Sequence, residues 1–240
     1  MTARMQEKVY VEFVGLPGSG KTTVMQALKS TLARGGKVAI IADEVGVRST
    51  HGELFGSLAP ALLFPLTTLR VLFFWLRHKE LFYNTPVGSR ELRERLRLVS
   101  LKRLLRDRFI FMRYSFDYFL CEGVLHPITF FNHNIDYALL PRLVRFVPPG
   151  AKRALVLVDL PPSVAFERMS GRGKKTGFGN LLELHGEAWG REYYAHTHEN
   201  IEILFSYFSR GDGRFFTHTV RLDGTKSATT NAERLARELS

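Results

Sequence analysis

Residues 9–23 read Val-Tyr-Val-Glu-Phe-Val-Gly-Leu-Pro-Gly-Ser-Gly-Lys-Thr-Thr, an apolar run that gives way to glycines and then to a lysine and two hydroxyls. The β-branched and aromatic stretch Val9 to Val14 predicts a buried strand. Val24, Leu28 and Leu32 recur at helical spacing and predict a helix over 22–32. Between them Gly15, Gly20, Lys21 and Thr22 satisfy the pattern G-x-x-x-x-G-K-[ST]. A loop in that position turns its N–H groups and the positive end of a helix dipole toward an anion. Gly15, Gly18 and Gly20 let the backbone approach phosphate oxygens, with Pro17, Ser19 and Thr23 completing the cradle. Lys21 is suited to neutralising β and γ phosphates, and the Thr22 hydroxyl to ligating Mg²⁺.

Working outward, a chain of 240 residues with 45% apolar content fits one α/β domain with its own core. A single cysteine, Cys121, excludes an internal disulfide framework and suits a reducing compartment. Residues 1–8 carry no apolar signal region, so a cytoplasmic location is expected. The formal net charge of +11 favours anionic partners without choosing among them.

A second strand is predicted over 37–42, and Asp43 and Glu44 follow it at once. Residues just beyond the carboxyl ends of parallel strands line the ligand crevice of an open sheet. Glu44 is the stronger candidate there, with Asp43 either its deputy or a turn cap. The stretch 54–76 is unusually apolar, but Pro60, Pro65 and Arg70 argue against a membrane span. It predicts two short helices packed over the core or around an apolar pocket, and leaves an interfacial membrane contact open. A basic helix follows over 89–109, with Leu92, Leu96, Leu104 and Leu105 on one face. From Arg90 to Arg113 there are nine lysines or arginines against three acids, a net +6. A solvated face laced with ion pairs or a phosphate contact explains them, and stacking on nucleic acid is disfavoured by the lack of interleaved aromatics.

Asp117 to Glu122 predicts a third strand ending in a carboxylate, placed to hold Mg²⁺ beside the phosphate loop. His126 and His133 read as polar loop residues. Ala154 to Asp159 predicts a fourth strand, and Pro161-Pro162-Ser163 the start of a helix carrying Glu167 and Arg168. Residues 170–179, rich in glycine and cations, predict a lid without regular structure in which Arg168, Arg172, Lys174 and Lys175 close on phosphates. One or two helices are expected over 181–208, a fifth strand over 215–222, and a last helix with Thr230 and Glu233 as its capping box.

This pattern resembles the thymidylate kinase and nucleoside or nucleoside monophosphate kinase group of P-loop kinases. The resemblance rests on Gly15 to Thr22, the Asp43-Glu44 turn, Cys121-Glu122-Gly123, Asp159-Leu160-Pro161-Pro162, Glu167-Arg168 with Arg172, and Asp223-Gly224. It implies a three-layer α/β fold with a five-stranded parallel sheet in a single domain over 1–240. A helical acceptor-binding region over 45–116 and a lid over 168–180 are implied with it.

Two departures bear on the substrate. Thymidylate kinases carry an arginine after the acid of strand three, where this chain has Gly123, and the turn after strand two only loosely matches theirs. By its place Glu44 is similar to the catalytic carboxylate of deoxynucleoside kinases. The resemblance therefore implies transfer of a phosphoryl group from ATP to a small-molecule hydroxyl. Lys21 and the loop hold the donor, Thr22 and Glu122 Mg²⁺, Glu44 and Arg48 the acceptor, and Arg168 and Arg172 close the site. The expected partners are ATP and a small-molecule acceptor. Transfer to a nucleoside monophosphate, a homodimer, a peripheral contact with anionic membrane and a kinase of nucleic-acid ends are the alternatives.

Overall fold

The computed structural model describes residues 8–45, 65–78, 90–131, 138, 140–144, 151–171, 177–211 and 215–239. Its centre is β1 (Val9–Val14), every residue of which is buried. Such a strand needs cover on both faces, and parallel crossovers through helices supply it. Around it lie β2 (Ala39–Ile41), β3 (Tyr118–Cys121), β4 (Lys152–Asp159) and β5 (His218–Asp223). All are parallel, in the order β2-β3-β1-β4-β5. The helices are α1 (Lys21–Arg34), α2 (Ala42–Val45), α3 (Pro65–Arg77), α4 (Arg90–Arg113), α5 (Leu125–Phe131), α6 (Leu140–Val144), α7 (Pro162–Ser170), α8 (Gly177–Ser209) and α9 (Ala228–Glu238). This is the three-layer α/β P-loop fold that the sequence implies.

Alternation along β1 divides the core in two. Val9, Val11 and Phe13 face α1 and α9, where Val24, Met25, Leu28, Ala232 and Leu235 close the layer. Tyr10 and Val14 face the other side, against Leu104, Ile110 and Phe111 of α4 and Tyr194 and Leu204 of α8. Each of these buried large side chains stabilises the fold by about 1.5–3 kcal/mol. Glu12 shares the α4 side with Tyr10 and Val14, and it is fully buried.

Several expectations are met with shifted bounds and some are corrected. The basic helix runs on to Arg113 because Ile110 and Phe111 continue its buried face with Leu101 and Leu104. Helix α3 opens at Pro65, where a missing N–H costs nothing. Residues 54–64 lie outside the described ones. The last helix is capped by Ser227, whose Oγ accepts from the Thr230 N–H at 3.1 Å. The predicted capping box on Thr230 is therefore displaced by three residues, the earlier serine supplying the acceptor. Helix α8 begins at Gly177, so the lid expected over 170–179 is regular from that point, and 172–176 lie outside the described residues. A break at Gly186, φ +83°, divides α8 in two.

Candidate active site

The phosphate loop lies between the end of β4 and helix α7, and its glycines are required by that squeeze. At Gly15, φ +147°, a Cβ would sit 2.6 Å from the Val158 carbonyl oxygen. At Gly18, φ +87°, it would run into the carbonyl of Ala165. The Ser19 N–H donates to the Leu16 carbonyl at 3.0 Å, tightening the turn. Ser19 Oγ is buried and makes no hydrogen bond among the described residues. A buried hydroxyl in that state costs free energy unless a ligand meets it. Pro17 is half-buried, and Thr22 and Thr23 open α1 with exposed side chains.

Lys21 is only 4% exposed, and its Nζ donates back to the carbonyls of Gly15 at 2.9 Å and Leu16 at 3.0 Å. Facing it at 3.8 Å is Oε1 of Glu122, the residue after β3. Arg103 of α4 reaches Glu122 Oε2 at 3.7 Å, and His126 Nε2 lies 3.6 Å from the same oxygen. Burial opposes ionisation of Glu122, yet His126, Lys21 and Arg103 hold its carboxyl down at about 2. Burial also pushes His126 down to about 3, Lys21 and Arg103 adding to it against Glu122. At neutral pH the cluster is thus an ionised carboxylate among two fixed cations and a neutral imidazole.

Behind this cluster Glu12 fixes the backbone that carries it. Its Oε1 accepts from the Leu125 N–H at 2.6 Å, and Tyr10 Oη stands 3.5 Å from Oε2. Gly123, φ +54°, passes so close that any Cβ there would collide with the Glu12 carboxyl. Desolvation is the main reason this carboxyl titrates at about 8, against 4.5 ordinarily, and Asp107 adds to it while the Leu125 and Val124 N–H groups oppose it.

The two acids after β2 part company. Asp43 pairs with Arg106 of α4 at 2.8 Å, and Arg106 also holds the buried Asp107 at 2.9 Å. Through Arg106, Asp43 joins the field around Glu122. Glu44 pairs instead with Lys29 on α1. Lys29 lies eight residues beyond Lys21, so this pair is about 12 Å along the helix from the loop. Arg168 is exposed and donates to the Gly224 carbonyl at 3.3 Å. It helps to line a 180 Å³ cleft on the other side of the loop with Gly18, Thr23, Gly224, Lys226 and Asn231. Arg48 and Arg172 lie outside the described residues, as does His133.

Sequence reasoning passed over Glu12, Arg103, Arg106, His126, Lys226 and Asn231. Glu12 could have been found as the one charge in a six-residue apolar strand. His126, read as a loop residue, opens α5 one turn from Glu122. One further cluster bears on metal binding: Asp159, His198 and Glu202 converge within 4.8 Å. Arg221 already binds both carboxylates there, at 2.8 Å to Asp159 and 2.6 and 2.7 Å to Glu202, so the charge a cation would supply is in place.

No family model matches the chain, and no curated protein does. Among solved structures it is similar to deoxyadenosine kinase from M. mycoides. The form with bound dCTP has a TM-score of 0.49 at 12% identity, covering 96% of this chain and 98% of that one. The form with bound dATP gives 0.47 at 14%, covering 96% and 98%. The form with dCMP and a flexible dCDP gives 0.48 at 12%, covering 96% and 97%.

Proposed function

We propose that the chain is an ATP- and Mg²⁺-dependent phosphotransferase acting on a hydroxyl of a small, nucleoside-like metabolite. One observation carries this reading: an ionised Glu122 faces Lys21 across an anion-binding loop whose buried Ser19 hydroxyl lacks a partner. The loop amides and Lys21 bind the triphosphate, and Lys21 moves from the Gly15 and Leu16 carbonyls to its phosphates. Thr22 and Glu122 offer hard oxygen donors and fit Mg²⁺, which when bound neutralises phosphate charge. Arg168, with Arg172, closes over the donor from the cleft side.

At the acceptor, a carboxylate takes the hydroxyl proton as its oxygen bonds the γ phosphorus. The bond from that phosphorus to the bridging oxygen breaks, and ADP leaves with the electron pair. Asp43 is supported in this role by its place on the Glu122 side, where Arg106 must release it before it can take a proton. Glu44 serves only if it leaves Lys29, and Arg48 is assigned to acceptor contacts. A hydroxyl rather than a phosphate acceptor is supported by Gly123, since a phosphate-gripping side chain there would displace Glu12.

The test is ADP release from MgATP in the presence of nucleosides, nucleotides, sugars and amphiphilic alcohols. A hydroxyl compound should stimulate release, and Lys21→Ala should not respond. Calorimetry showing no MgATP binding, or stimulation by nucleoside monophosphates alone, would overturn the reading.

A further inference from the structure

Helix α3 is apolar on the side that faces away from the protein as well as on the side that faces in. Val71, Phe74 and Trp75 are buried, Val71 and Trp75 to less than 8% exposure, and fill the core beside α4. On the opposite side Leu66, Leu69, Phe73 and Leu76 are 74, 60, 67 and 57% exposed. Their spacing of three, four and three residues stacks them in one stripe along the helix. An exposed apolar stripe of this size marks an interaction site.

Charge decides what covers it. Arg70 and Arg77 border the stripe on one edge, His78 follows, and the helix contains no acid. Arg70, Arg77 and His78 line a 630 Å³ groove with Leu66, Leu69 and Phe73. Arg70 and Arg77, both exposed on that edge, call for an anion, and the apolar stripe beside them calls for hydrocarbon. A second copy docked through this face about a two-fold axis would bring its own Arg70 and Arg77 against these, with no carboxylate from α3 to offset them. A phospholipid supplies phosphate and acyl chain at the spacing an interfacial helix uses.

We propose that the outward face of α3 docks this protein on a membrane surface that carries anionic phospholipid. The helix lies in the interface plane, Phe73 and Leu69 entering the acyl boundary while Arg70 and Arg77 meet headgroup phosphates. At 13 residues α3 is too short to span a bilayer. This inference does not depend on the proposed reaction.

Vesicle flotation tests it, with phosphatidylcholine vesicles made with and without phosphatidylglycerol, at low and high salt. The full chain should float with the anionic vesicles and much less with the neutral ones. Phe73→Ser and Leu69→Ser should each weaken binding at least tenfold, and Arg70→Glu by more than the roughly fivefold expected for losing one cation. Unchanged thermal melting of each variant shows that the loss is one of docking. Because these positions are exposed, failure of one variant to fold leaves the others to answer. The proposal falls if anionic vesicles do not bind the protein, or if the variants float as the parent does. It also falls if sedimentation without lipid shows a dimer that Phe73→Ser dissolves.

Discussion

The two sides of this molecule are built on opposite rules. At the carboxyl edge of the sheet, positions are set by backbone squeeze and buried charge: Gly15 and Gly18 against neighbouring carbonyls, Glu12 under the turn at Gly123, and Glu122 among cations. On α3 nothing comparable among the described residues holds the outward side chains, which are apolar, exposed and bordered by arginine. The first region suits the proposed binding of one ligand in one geometry. The second suits the proposed docking on a fluid partner.

The contrast can be broken at its strongest point with Lys21→Ala, for which turnover with MgATP should fall by about 10² to 10³. A steady-state ADP assay checks this, with circular dichroism for the fold. Next comes the acceptor side. Asp43→Asn should lower kcat by about 10², and Glu44→Gln by clearly less. The reverse order in the same assay would return the proton-accepting role to Glu44.

Gly123→Ala should cost about 1–3 kcal/mol in denaturant unfolding, from its left-handed backbone and from the Glu12 carboxyl. In a Glu12→Ala background that cost should shrink, a coupling that a double-mutant cycle reads out.

Acid and alkaline limbs of the stability curve sharpen the comparison further. Glu12 keeps its proton in the fold up to about 8 but loses it near 4.5 when unfolded. Its contribution therefore declines as pH rises from about 4.5 to about 8. Glu122, held at about 2, acts in the opposite sense: its contribution is complete above about 4.5 and is lost as pH falls toward 2. Urea titrations across pH should show both limbs, and Glu12→Gln should flatten the alkaline one. The smallest effect belongs to α3, where Phe73→Ser should change unfolding free energy by less than about 0.5 kcal/mol, since the side chain is mostly exposed.

Much of this was legible in the chain. Val9 to Val14 is an uninterrupted apolar run with β-branched residues, and the loop after it is spaced by phosphate geometry. Strand and site therefore follow from local chemistry. Glu122 was legible for the same reason, as a charge at the end of a buried strand. Arg103 and Arg106 were not, because one helix carries nine cations and only the fold reveals which of them point at Glu122 and Asp43. The turn of Glu44 toward Lys29 was hidden too, since neighbouring acids on a four-residue helix diverge by about 100° and sequence gives no phase. The cap of α9 was misread because Ser227 and Thr230 are both capable residues.

The meeting of Glu12 with Gly123 has a bearing on how this chain can change. An arginine after Glu122 would need room that is taken by a carboxyl from the innermost strand. Any side chain placed there must first displace Glu12, so what this turn can become is decided in the hydrophobic interior rather than at the surface.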